Sequence, residues 1–216
     1  MIKAILFDMD GTITNSEALH REAFNILLRK YKIFIHKKQW QRLFIGTGSR
    51  FIAQWHIKKY HLPLNLDEFV DTRRRLYQQL LKQKPVQPIA GFMQFYQSLK
   101  KAGYKIAIAS SGQRSNVLKS LAAIHVHGIP VVGIEQVHFR KPNPEIYLKA
   151  ANMLGVRPSE CLVFEDSVVG VAAAKRARMK VVALLTTTPR KSLERKKPTR
   201  IVRDYRSVSL KWIRTL

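Results

Sequence analysis

Cysteine is nearly absent from these 216 residues. Cys161 stands alone, which excludes an intramolecular disulfide and makes cytoplasmic residence the expectation. Also missing is any apolar run long enough to cross a bilayer. The apolar N-terminal stretch is cut short at Asp8, so neither a membrane span nor a signal peptide is expected. Acids are scarce: 14 Asp and Glu stand against 39 Lys and Arg, a net charge of +25. Such a balance admits nucleic acid, an anionic membrane or a phosphorylated small molecule as partner. The cations are spread along the chain, however, and only locally dense at Arg73, Arg74 and Arg75 and over 190–214. Nucleic acid and membrane are therefore not expected partners, and a uniformly basic host proteome is the bland account of the charge. There is no internal repeat and no low-complexity segment.

Scarcity makes the acids that are present informative. Four of the fourteen, Asp8, Asp10, Glu165 and Asp166, form two tight pairs, each at the end of an apolar strand pattern. Residues 3–14, KAILFDMDGTIT, bury Ile5, Leu6 and Phe7 and then present Asp8 and Asp10 two residues apart, followed by Gly11. Carboxylates in such a place are costly unless they meet a cation or a reaction. Residues i and i+2 of a strand share a side, so the two converge beyond its carboxyl end, where open α/β sheets hold ligands.

From 14 to 85 the patterns are helical. Thr14 and Glu17 read as a capping box for a first helix, and further helices are predicted over 37–43, 49–60 and 66–82. Pro85 and Pro88 mark the return to an extended connection. From Gly91 helix and strand alternate: helices over 92–101, 115–123, 144–155 and 167–178, strands over 105–109, 130–134, 161–164 and 180–185. The basic run 190–197 reads as a solvated loop. The fold expected is α/β: a Rossmann-like parallel sheet wrapped by helices (1–13 and 86–216), with a small all-helical cap (14–85) inserted after the first strand.

Polar groups recur at the strand ends: Asp8 with Asp10, then Ser110, then Lys141 in the connection that follows, then Glu165 with Asp166. Phosphoryl transfer needs such a set. A hard cation such as Mg²⁺ takes oxygen ligands, for which Asp8, the Asp10 carbonyl and Asp166 are candidates. Lys141 with Ser110, Ser111 and Gly112 would hold phosphoryl oxygens. Glu165 reads either as a ligand through water or as a brace of the metal shell. Gly170 with Ala172, Ala173 and Ala174 reads as a small-residue face for close helix-to-sheet packing.

In order, DMDGT, IAIASSG, the lysine of RKPNPEIY and FEDSVVGVAAA resemble the four motifs of the haloacid dehalogenase superfamily, over nearly the whole chain. The β-phosphoglucomutase-like branch, with its helical cap between the first two motifs, is most similar. The resemblance implies that Asp8 is the nucleophile, forming an aspartyl-phosphate that water hydrolyses, and that Asp10 is the general acid and base. Ser110 would bind a phosphoryl oxygen, and Mg²⁺ and Lys141 would offset the repulsion between Asp8 and a phosphate dianion. In the cap, His20, Gly46 and Arg50 are implied to face the substrate. From the residues alone, His20 could equally belong to a polar helix face and Arg50 to a solvated one.

The acid at Asp10 favours phosphate esters over carbon–halogen bonds. Sugar-phosphate mutases of this branch tend to carry serine and lysine shortly after the second-motif serine, where this chain has Gly112 and Gln113, although Arg114 could substitute. The expectation is a Mg²⁺-dependent phosphatase for a small phosphorylated metabolite, such as a sugar phosphate or phosphoglycolate, working as a monomer or weak dimer. The alternatives are a β-phosphoglucomutase-type mutase and a basic nucleic-acid-binding protein that keeps the fold without catalysis.

Overall fold

The computed structural model describes residues 1–216. Strand β1 (Ala4–Phe7) leads into four helices, α1 (Glu17–Leu28), α2 (Lys37–Leu43), α3 (Ser49–Lys59) and α4 (Leu66–Gln83). The chain then alternates through α5 (Phe92–Lys101), β2 (Lys105–Ala109), α6 (Arg114–Ala122), β3 (Val131–Val132), α7 (Glu145–Met153), β4 (Cys161–Glu165), α8 (Val168–Arg176), β5 (Lys180–Leu184), α9 (Arg190–Glu194), β6 (Arg200–Val202) and α10 (Leu210–Arg214). The six strands form one parallel sheet in the order β3-β2-β1-β4-β5-β6. The chain reverses its direction across the sheet between β1 and β4. Their carboxyl ends therefore flank the crevice in which doubly wound sheets bind ligands.

Side-chain size alternates along the central strands. Ile5, Phe7, Ile106, Ile108, Leu162 and Phe164 face one side, where they pack with Phe92, Phe95 and Tyr205. Ala4, Leu6, Ala107, Ala109, Cys161 and Val163 face the other, under Tyr147 and Ala150 of α7 and Ala173 and Ala174 of α8. Burying each large side chain contributes about 1.5–3 kcal/mol, whereas the small face lets α7 and α8 approach the sheet closely.

Helices α1 to α4 enclose a hydrophobic cluster of their own, with Phe24, Trp40, Phe44, Ile52 and Phe69. The two passes between the sheet and these four helices are paired: Asn15 N–H donates to Gln87 O at 3.0 Å and Ile89 N–H to Ile13 O at 2.8 Å. None of the helices is long and apolar enough to cross a membrane.

Several local expectations are corrected. Thr14 and Glu17 do not make a capping box: Ser16 precedes α1 without a side-chain cap bond, and Glu17 accepts from Trp40 Nε1 at 2.5 Å instead. The strand over 130–134 shrinks to Val131–Val132, because Pro130 cannot donate to a ladder and Ile134 enters a 3₁₀ turn. The run 190–197 is no simple loop, since Leu193 is buried and closes α9 onto the core. Nor is 180–185 the last strand. A sixth, β6, pairs along β5 at the sheet edge, where its flanking Arg200 and Arg203 mask the strand pattern.

Candidate active site

The parallel register brings Phe7 level with Ile108 and Phe164, so the residues that follow the strands share one edge. Asp8, Ser110, Lys141, Glu165 and Asp166 are all buried there. Lys141 Nζ donates to Asp8 Oδ1 at 2.6 Å, to Glu165 Oε1 at 2.8 Å and to the Ala109 carbonyl at 3.1 Å, which uses all three of its protons. Burial alone would lower its pKa, but Asp8 and Glu165 hold it well above the usual value. Lys141 is therefore a fixed cation.

Three carboxylates share the site with that single ammonium, which contacts two of them, Asp8 and Glu165. Oxygens of Asp8, Glu165 and Asp166 lie within 4.8 Å of one another. Burial, opposed by Lys141 and reinforced by Glu165, pushes Asp8 up to about 8. Burial with the charges of Glu165 and Asp8 raises Asp166 well above the carboxylate range. The protein thus leaves buried negative charge unmatched, the situation a bound hard cation relieves. Glu165 is the least available of the three. Oε1 accepts from Lys141 and from Tyr147 OH at 3.1 Å, and Oε2 from Asp166 N–H, Ser167 N–H and Ser167 Oγ at 2.8, 2.7 and 2.9 Å. Asp166 accepts hydroxyl protons from Thr12 at 3.1 Å and from Thr187. Gly11, at φ +80°, permits this approach, because a side chain there would strike Asp166 and Thr187.

Asp10 faces helix α1 instead. Its Oδ1 accepts from Ser16 Oγ and lies 2.9 Å from His20 Nε2. Arg73, buried on α4, donates to His20 Nδ1, so the ring is the Nε2–H tautomer and donates to Asp10. The ring stacks on Tyr77 with centroids 4.1 Å apart. Burial and Arg73 lower the pKa of His20. Burial alone would raise that of Asp10, but His20, Ser16 and Arg73 outweigh it and keep the carboxylate ionised.

Ser110 Oγ accepts from Gly112 N–H at 3.0 Å, and Ser111 Oγ donates to the Gly46 carbonyl at 3.0 Å. Gly46 rests against Ser167, where a side chain would collide. Asp8 and Asp10 line an inner chamber of about 50 Å³ with Glu17, His20, Gly46 and Gly112. Asp10 and His20 also line an adjoining outer chamber of about 360 Å³ between cap and core, with Arg50, Ser111 and Gly112 on its wall. Arg50 is the one candidate whose charge is spent elsewhere, since its guanidinium pairs with Asp67 in the first turn of α4.

Sequence reasoning missed Arg73, Tyr147, Thr187 and the position of Glu17. Arg73 is followed directly by Arg74 and Arg75, and only the buried side of α4 separates it from them. Phe69 and Tyr77, four residues to either side, were the available signal.

A family model described as haloacid dehalogenase-like hydrolase matches residues 2–178. The chain belongs to this family. The haloacid dehalogenase-like hydrolase described here is 34% identical over 186 residues to YhcW of Bacillus subtilis (strain 168), covering 84% of this chain and 83% of that protein. It is 30% identical over 190 residues to the validoxylamine A 7'-phosphate phosphatase of Streptomyces hygroscopicus subsp. limoneus, covering 87% of each. The fold is that of β-phosphoglucomutase from Clostridium difficile, with a TM-score of 0.86, 24% identity and coverage of 100% and 96%. It is an enzyme, a phosphatase of this family acting on phosphorylated small molecules.

Proposed function

We propose that this hydrolase is a Mg²⁺-dependent phosphomonoesterase working through an aspartyl-phosphate on Asp8, with residues 14–85 as its cap and 1–13 and 86–216 as its core. The observation that carries the reading is the separation of the two aspartates. Asp8 lies with Lys141, Glu165 and Asp166, whereas Asp10 is held apart by His20 in the same inner chamber. On this reading one carboxylate serves attack and the other proton transfer.

Asp8, Asp166 and the Asp10 carbonyl would hold the cation, with Glu165 bracing Lys141 and the turn that carries Asp166. When bound, the cation supplies charge neutralisation for phosphate beside these carboxylates. Lys141 stabilises charge on the phosphoryl oxygens, and the Ser110 hydroxyl, braced by the Gly112 N–H, offers them a donor. Asp8 attacks phosphorus, the bond to the leaving oxygen breaks, and that oxygen takes the proton of Asp10. A phosphate dianion beside Asp10 raises the affinity of its carboxylate for that proton. Left ionised, Asp10 then takes a proton from water, which attacks phosphorus and frees Asp8. His20 and Arg73 orient the Asp10 carboxylate throughout.

Hydrolysis is favoured over mutase chemistry because the outer chamber lacks a second phosphate site at the second motif. Gln113 Oε1 accepts from Arg74, and Arg114 does not line the chamber. A non-catalytic basic module would have no use for the buried acids. p-Nitrophenyl phosphate turnover with and without EDTA tests the proposal: activity that survived both chelation and Asp8→Asn would overturn it. Conversion of β-glucose 1-phosphate to glucose 6-phosphate, primed by a bisphosphate and without phosphate release, would establish the mutase instead.

A further inference from the structure

The chamber beyond Asp10 carries information about the leaving alcohol. At about 360 Å³ it falls within the range of cavities that enclose drug-sized ligands, far more room than a two-carbon acid needs. Because Asp8 lines only the inner chamber while Asp10 and His20 line both, phosphorus belongs in the inner one and the leaving alcohol in the outer.

Several polar groups of the outer wall are already paired. Arg50 is paired with Asp67, and Arg74 lies 3.1 Å from Asp71. Asn116 Oδ1 accepts from Gln78 Nε2 at 2.8 Å, and the Glu135 carboxylate accepts from Arg114 N–H at 2.9 Å. A polyol placed against these four would meet side chains already engaged, and its unmatched hydroxyls there would oppose binding. Of the arginines on this wall, Arg50 and Arg74 are already paired with acids. Beside them lies an apolar surface, Phe51 and Val70 from the cap and Ile134 and Val137 from the core. Arg140, which makes no salt bridge, stands with its guanidinium 5.4 Å from the centre of the Phe51 ring. Planar guanidinium and phenyl groups from opposite sides of the cleft make a natural stacking site for a flat ring.

We propose that the leaving alcohol carries a planar aromatic or heteroaromatic group seated against Phe51 and Arg140, so that the substrate class is the nucleoside 5'-monophosphate type rather than a sugar phosphate or phosphoglycolate. The inference rests on the phosphatase reading and narrows it.

The test compares kcat/KM of the full chain with Mg²⁺ on uridine 5'-monophosphate, glucose 6-phosphate and phosphoglycolate, with acetyl phosphate as a substrate that has no bulky leaving group. Uridine 5'-monophosphate should exceed the other two esters by about tenfold or more, the scale one stacked aromatic contact supplies. In Phe51→Ala and in Arg140→Ser that ratio should collapse, through KM. Arg140 is exposed, so its variant keeps the test alive if the Phe51 variant does not fold. Uridine itself should inhibit acetyl phosphate turnover competitively where glucose does not. Acetyl phosphate turnover that Asp8→Asn abolishes, with no preference for the nucleotide or a preference that both variants retain, overturns the ring site and leaves the phosphatase standing. Absence of acetyl phosphate turnover overturns both.

Discussion

The carboxylate of Glu165 occupies the space that a side chain on Gly170 would fill. Gly170 lies in the first turn of α8, and Ser167 Oγ caps it there at 3.0 Å while also donating to Glu165. The small-residue face of α8 is thus more than a packing surface, because it makes room for the group that anchors Lys141.

An ordinary helical Gly→Ala change stabilises by about 0.5–1 kcal/mol. Gly170→Ala should instead destabilise by about 1–3 kcal/mol, because the Glu165 carboxylate and its five donors must move. Urea unfolding gives the sign directly, and kcat should fall as Lys141 loses its anchor. A stabilised, fully active Gly170→Ala protein would show that Glu165 has somewhere else to go.

Charge matching around Asp8 gives a second prediction. Lys141→Ala leaves three buried carboxylates without a cation from the protein, and breaking such a pairing costs about 3–5 kcal/mol. The loss should be largest in EDTA and shrink when a divalent cation is added. Equal destabilisation with and without the cation would mean that the lost lysine contacts, not the unmatched charge, set the cost.

Ligand linkage supplies the third. A cation that binds only the folded chain at a hundredfold excess over its Kd adds about 2.7 kcal/mol of stability. Thermal unfolding of the wild type should therefore shift upward with Mg²⁺, and Asp166→Asn should abolish most of that shift. The readout is independent of turnover. An Asp166→Asn protein that responded like the wild type would remove Asp166 from the proposed ligand set.

Much of this architecture was legible in the residues, for physical reasons that differ by element. Helix 92–101 and strand 105–109 were visible to the residue, since period, glycine stop and β-branched content agree there. The two acid pairs stood out because acids are rare in this chain and follow apolar strands. Glu17 was misread because a local pattern fits a capping box, while the partner that claims it, Trp40, lies 23 residues away. Arg73 and Thr187 were hidden for the same reason, since neighbours of like type surround each and only the tertiary fold assigns their partners. β6 was lost because an edge strand bears charge that a central strand cannot.

Glu17 offers a final prediction, in which pH reads out its environment. Burial and the nearby charge of Asp10 raise its pKa from 4.5 to about 8, against the opposing hydrogen bond from Trp40. A carboxyl whose folded pKa is raised is stabilising when protonated. Its contribution is complete below about pH 4.5 and is lost as pH climbs through about 8. Glu17→Gln imitates the protonated form and keeps an oxygen for Trp40 Nε1. With EDTA present, the wild type should lose stability relative to Glu17→Gln by up to about 1.4 kcal/mol per pH unit between pH 5 and 8. Urea midpoints for the two proteins across that window measure the slope. Parallel curves would mean that Glu17 ionises freely in the folded chain, in which case the inner chamber carries one more negative charge at neutral pH than the burial of Glu17 implies.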